Sequence, residues 1–263
     1  MAEVRDWDGS TYDRIAAPQT GWGREVLERL PLAGDELVLD AGCGSGRVTE
    51  MLLERLPRGR VIAVDASPSM VNAARERLGT LKGTPHEGAQ ARERVDVRVM
   101  DLEQLELEEP LDAILSTATF HWIPDHERLF ARLHAALRPG GRLVAQCGGE
   151  GNVRRTREAA QEVGARQPFE PYMRGWDGPW NFSSAELAEQ RLRAAGFKEA
   201  RCWLHDVSVH PPEPREFLRT VNLGSHLLRL PEELREPFVD AVHEIVGEPY
   251  RIDYVRLNIE AVA

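Results

Sequence analysis

Lysine is nearly absent: Lys82 and Lys198 are the only two among 33 basic residues, so the cations of this chain are almost all guanidinium groups. Positive charge is also outweighed. The 33 basic residues face 43 acidic ones, a net charge of −10, which argues against holding nucleic acid by general phosphate neutralisation. Cysteine is scarce too. Cys43, Cys147 and Cys202 show no metal-ligand spacing and leave one thiol over in any disulfide scheme, so they read as reduced thiols and no metal site is expected. No apolar run nears the ~20 residues that span a bilayer, and the opening MAEVRDWDGS lacks the basic-then-apolar order of a secretion signal. The expectation is a cytoplasmic protein with no membrane or nucleic-acid partner, as a monomer or homodimer. With 263 residues, 42% of them hydrophobic, the chain is long enough to bury one large core or one core with a small cap.

What is present is an alternation of short apolar runs and amphipathic stretches. Residues 37–40, 60–65, 95–100, 111–116 and 142–147 read as strands, and 47–56, 68–78 and 125–137 as helices between them. Ser67 is a natural N-cap with Pro68 at the first helical position. Val48, Met51, Leu52 and Leu56 share the inward face of the 47–56 helix. The alternation calls for an α/β fold with a parallel sheet covered by helices on both faces. Helical stretches follow at 153–166, 184–195, 214–229 and 231–246, with strands at 201–209 and 254–262, and 79–90 reads as a polar surface loop.

The strongest chemical signal is VLDAGCGSG at 38–46. A chain that leaves a strand, turns and enters a helix beside a ligand needs glycines where side chains would block the approach. A dinucleotide-binding dehydrogenase places G-x-G-x-x-G here, but Gly42, Gly44 and Gly46 are evenly spaced and Arg47 falls where the third glycine belongs. Asp40 also precedes the turn; its charge would repel a pyrophosphate and attract an ammonium group. Further strand-end residues follow in order: Asp65, suited to ribose hydroxyls; Met70, one helical turn on; Asp101 and Leu102; and Ser116, which leads into Phe120, His121 and Trp122. Open α/β sheets bind ligands at the edge where such strand ends meet.

These residues resemble the class I S-adenosylmethionine-dependent methyltransferases, and within them the trans-aconitate methyltransferase-like family. The likeness rests on Trp7 with Tyr12, LERLPLAGDELVLDAGCGSG, VDASPSMVNAA, Asp101, FHWIPDH at 120–126 and LRPGG at 137–141. It implies a Rossmann-like seven-stranded sheet ordered 3-2-1-4-5-7-6 with strand 7 antiparallel, and S-adenosylmethionine as cofactor. It implies that Asp40, Gly42 and Gly44 flank the methionine end and that Asp65 and Ala66 meet the ribose. Met70, Asp101 and Leu102 would border adenine and Ser116 would approach the amino acid, while Tyr12, Gln19 or Trp22 closes the site. A single domain over 1–263 follows, with 1–30 covering the cofactor, 31–150 as the core, and 151–182 and 211–248 as cap insertions.

The acceptor is less marked. A small-molecule carboxylate, O-methylated as in trans-aconitate enzymes, is the leading expectation. Alternatives are a phenol, quinone or other natural-product acceptor, or a regulatory protein that binds cofactor without catalysis. His121, where the family tends to carry glutamine, is the candidate base or orienting group. Trp22, Trp122, Arg154, Tyr172 and Trp176 are the further candidates to contact the acceptor, with Arg155, Arg157, Arg166 and Arg174 as other cations of the cap.

Overall fold

The computed structural model describes residues 17–79 and 94–263. The expected loop at 79–90 falls almost wholly outside them, as do Trp7 and Tyr12. Seven strands form one sheet in the order β3-β2-β1-β4-β5-β7-β6. They are β1 (Leu37–Ala41), β2 (Arg60–Asp65), β3 (Val95–Val99), β4 (Leu111–Thr117), β5 (Leu137–Gly148), β6 (Glu199–Val209) and β7 (Ile252–Val262). The first five pair in parallel, and β7 runs antiparallel to both β5 and β6.

Helices α1 (Ala17–Glu28), α2 (Arg47–Arg55) and α3 (Pro68–Gly79) cover one face, packing Val26, Leu30, Leu52 and Leu78 onto Val38, Val61 and Leu115. Helix α2 buries Val48, Thr49, Leu52 and Leu53, while Met51 is only partly buried. Thr49 takes an inward place because its hydroxyl has a buried partner, Asp40. In α3 the Ser67 hydroxyl accepts from the Met70 N–H at 3.3 Å, which is the anticipated cap. The other face is covered by α4 (His126–Ala136), opened by Asp125, and by α7 (Ala185–Ala194), whose Ser184 accepts from the Leu187 N–H at 3.2 Å.

The remaining helices form a separate apolar layer. Short α5 (Arg154–Gly164), α6 (Glu170–Met173), α8 (Pro214–Phe217), α9 (Gly224–Arg229) and the longer α10 (Glu232–Val246) pack Val163, Phe169, Phe217 and Phe238 around Tyr250 and Tyr254, above the start of β7. Two expectations change here. The single helix anticipated over 214–229 is broken by a π turn at Leu218–Asn222, closed by the Leu223 N–H donating to the Leu218 carbonyl at 2.8 Å. The helix expected to run to residue 137 ends at Ala136, and Leu137–Gly141, ahead of the strand expected at 142–147, already belongs to β5, with Leu137 opposite Leu111. Among the described residues no helix is long and apolar enough to cross a membrane.

Candidate functional site

The glycine turn leaves β1 at its carboxyl end. The N–H groups of Gly42 and Cys43 both donate to the Val64 carbonyl of β2, at 2.8 and 2.9 Å, which holds the turn against the neighbouring strand. The three glycines differ in what requires them. Gly42 has φ 85°, and a Cβ there would lie 2.1 to 2.6 Å from the side chain of Thr119. Gly46 (φ 82°) backs onto Ala74 of α3. Gly44 (φ 53°) has nothing within 4 Å of the Cβ position, so open space lies beside it. Its N–H donates to Asp65 Oδ2 at 2.9 Å.

Asp40 is fully buried at the end of β1. Oδ2 accepts from the Thr49 hydroxyl at 2.6 Å, and Oδ1 has no hydrogen-bond partner. Burial pushes its carboxyl up to about 6; the Thr49 hydrogen bond works against the rise, and the charge of Asp65 adds to it. An ionised buried carboxylate with an open lone pair favours a nearby cation. Asp65, at the end of β2, is partly buried and bridges two turns, its other oxygen accepting from the Ser67 N–H at 2.9 Å. Burial raises its carboxyl, while hydrogen bonds from the Ser67, Gly44 and Ala66 backbones oppose the rise. Met70 is buried one turn into α3. Asp101 caps the short turn Leu102–Gln104 by accepting from the Glu103 N–H at 2.9 Å, with Leu102 buried beneath it.

Ser116 is buried and donates its hydroxyl to the Ala41 carbonyl at 2.7 Å, so this proton is committed to tying β4 to β1. The next turn passes through Ala118 at φ 58° into Phe120–Trp122. There His121 is buried, and its Nδ1 accepts from the Gly148 N–H at 3.1 Å. A backbone N–H only donates, so a neutral ring carries its proton on Nε2. Burial pushes the imidazole well below its ordinary range, and the nearby charges of Arg256 and His126 add to the effect. His121 is therefore neutral near pH 7 and offers an N–H rather than a free basic nitrogen.

Aromatic rings continue from His121 into the cap. Its ring centroid lies 5.1 Å from Trp122 and 5.7 Å from Phe182; Phe182 stacks on Trp180 at 5.6 Å, and Trp180 lies 5.9 Å from His226. A cavity of about 300 Å³ behind this wall is lined by Arg157, Trp176, Trp180 and His226. The cap cations sort by helical phase. Arg154 is exposed; Arg157, three residues on, is half-buried with its guanidinium 5.3 Å from the Phe182 ring. Arg166 pairs with Glu162, Arg174 with Glu170, and Arg155 donates to the Val246 carbonyl. Tyr172 is 40% exposed on the one-turn helix α6.

One residue that the sequence left unmarked is Arg256 of β7. It is buried, lies opposite Gly148 of β5, and donates from Nε to Gln146 Oε1 at 3.3 Å. Its guanidinium sits 4.6 Å from the Trp22 ring, which also meets Tyr254 edge-on at 5.1 Å. Nothing local distinguishes this arginine from other strand residues; only the β5–β7 register brings it beside His121. Gln19 lies in the first turn of α1.

A methyltransferase-domain family model matches residues 38–141, the span from β1 into the first residues of β5. A trans-aconitate 2-methyltransferase of Methylobacterium nodulans is 33% identical over 201 residues, covering 76% of this chain and 68% of that protein. The Variovorax paradoxus protein of the same name is 29% identical over 252 residues, covering 94% and 91%. Among solved structures, a Haemonchus contortus phosphoethanolamine N-methyltransferase 2 holding S-adenosylhomocysteine superposes with a TM-score of 0.60 at 19% identity, over 97% of this chain and 56% of that one. The YcgJ protein of Bacillus subtilis gives 0.58 at 16%, over 93% and 97%; at such identities the likeness is one of fold. The chain belongs to the class I S-adenosylmethionine-dependent methyltransferases, in their trans-aconitate methyltransferase-like family. It is thus a methyl-transferring enzyme whose donor is S-adenosylmethionine. The open space at Gly44 and the unpaired oxygen of Asp40 fit such a donor, which brings bulk and an ammonium group to the turn.

Proposed function

We propose that the enzyme methylates a carboxylate oxygen of a small-molecule acid of the trans-aconitate kind. The observation that carries this reading is the state of His121. A phenol, enol or carbon acid benefits from a base, and His121 is held neutral with Nδ1 already accepting a hydrogen bond. A carboxylate arrives ionised at neutral pH and needs no proton removed. It needs a cation and a fixed direction. Arg256 supplies a buried guanidinium, a group that grips carboxylates in a planar, two-point fashion, and the Nε2–H of His121 is a second donor. When bound, S-adenosylmethionine supplies an electrophilic methyl on a sulfonium that leaves readily. What remains for the chain is alignment, worth up to ~7–11 kcal/mol in ideal intramolecular models.

On this reading Gly42 and Gly44 flank the donor's methionine end, with Asp40 attracting its ammonium and Ser116 keeping β4 in place beside them. Asp65, with acceptor capacity beyond its backbone hydrogen bonds, takes the ribose beside Ala66. Met70, Asp101 and Leu102 border adenine, and Trp22 helps to close the site. The domain is single, with residues 1–30 as cover and 151–182 and 211–248 as cap. Trp122 and Trp176 face the acceptor side; the exposed Arg154 and Tyr172 are replaced in that role by Arg157 and Trp180.

A second reading, a phenolic or quinone acceptor, draws on the ring wall formed by Trp122, Trp180 and Phe182. Turnover of methyl-labelled donor against a panel of acids, phenols and quinones separates the two. The expected product is an ester that releases labelled methanol in mild alkali. An alkali-stable methylated phenol or quinone, with no acid turned over, would overturn the carboxylate reading.

A further inference from the structure

A second cavity lies away from the glycine turn. It measures about 430 Å³ and opens on the opposite edge of the sheet, where β5 and β6 begin and β7 ends. Cross-strand rows form its floor: Arg142, Val262 and Glu199 lie side by side, and Val144, Glu260 and Arg201 form the next row on the same face. Arg29, the residue after α1, lines it from above, and Arg193 and Lys198 line its rim.

Five cations and two acids thus converge on one concavity of a chain whose net charge is −10. Two of the cations have partners. Arg29 lies 3.5 Å from Glu260, and Arg193 donates to Glu189 at 3.4 Å and to the Ala200 carbonyl at 3.1 Å. Arg142, Lys198 and Arg201 form no ion pair and no side-chain hydrogen bond among the described residues. Arg201 is braced instead, with its guanidinium 4.8 Å from the Trp203 ring that Arg29 approaches at 5.0 Å. Three such like charges around one hollow repel each other, and an anion placed between them relieves the repulsion. The volume falls in the range of small-ligand sites, and forked guanidinium donors suit the oxygens of phosphate or carboxylate.

We propose that this groove is a second binding site, separate from the methyl-transfer edge, for a compact polyanion with neighbouring phosphate or carboxylate groups. Isothermal titration of the enzyme saturated with S-adenosylhomocysteine tests it, with inorganic pyrophosphate and citrate as probes. One saturable site per chain is expected, weakened at least ~10-fold by the double substitution Arg142→Glu with Lys198→Glu. Methyl transfer should be unchanged, because both side chains are exposed and distant from the glycine turn. Arg142→Gln alone gives a smaller loss and serves if the double variant fails to fold. Saturable binding of pyrophosphate but not citrate by the parent enzyme assigns a phosphate ligand, and of citrate but not pyrophosphate a polycarboxylate. Absence of saturable binding by either probe overturns the proposal, as does binding that the charge reversals leave intact.

Discussion

Acidification through pH 6 should weaken donor binding by titrating Asp40. The carboxyl is buried, has one oxygen without a partner, and is raised to about 6. If its ionised form attracts the donor's ammonium group, affinity follows the ionised fraction. Between pH 7.5 and pH 5 that fraction falls roughly tenfold for a group titrating near 6, while the donor's own α-amino and α-carboxyl groups titrate outside this window. Calorimetry with S-adenosylhomocysteine in buffers of different ionisation enthalpy should show the weakening and a proton released on binding at pH 5. A second readout needs no ligand. Because the folded value lies above the ordinary 3.8, neutral Asp40 contributes stability that is fully present below about pH 3.8 and lost as the pH rises through 6. That span of roughly two units corresponds to about 3 kcal/mol. Asp40→Asn should therefore raise the thermal midpoint at pH 7 but not at pH 4, and should weaken the donor at least ~10-fold at pH 7. An affinity that stays flat from pH 7.5 to 5, or an Asn variant that binds as tightly as the parent, would refute the reasoning.

The turn glycines should separate by mechanism: Gly42→Ala meets Thr119 at a positive φ and should cost about 2–5 kcal/mol in denaturant unfolding. Gly44→Ala has open space and should cost only about 1–2 kcal/mol, yet lose most donor affinity in the same titration. His121→Gln should keep most of kcat/KM, since a donor replaces a donor; a fall of ~10²–10⁴-fold would instead mark a general base. Arg256→Gln should raise KM for the acid about 10–150-fold with little change in kcat, and equal losses for acid and S-adenosylhomocysteine would point to a collapsed strand. Leu52→Ala, at a fully buried position, should cost about 2–5 kcal/mol on unfolding without altering donor affinity.

The arrangement of the candidate cofactor edge was legible in the sequence because each of its parts is a local signal. A strand must end, a glycine must turn and an acid must follow within a few residues, so Asp40, Gly44 and Asp65 stand in order along the chain as they stand in space. The acceptor side has no such grammar. Arg256 occupies one position in a strand of mixed residues, and it approaches His121 only through an antiparallel pairing with Gly148, more than a hundred residues earlier. That Arg157 rather than Arg154 is turned toward the Phe182 ring depends on the phase of α5, set by Thr156, Ala159 and Ala160 turning inward. Tyr172 reads as a candidate to contact the acceptor, but a helix of one turn fixes no buried face, and the ring ends outside. Even within the turn, the pattern of three glycines conceals three separate causes: contact with Thr119, open space, and the approach of α3. Selection acting on the acceptor therefore has more freedom than selection acting on the donor. On the proposed reading, a change at Arg157 or Arg256 leaves the glycine turn and its hydrogen bonds to β2 untouched, so acceptor choice can drift while methyl donation is retained.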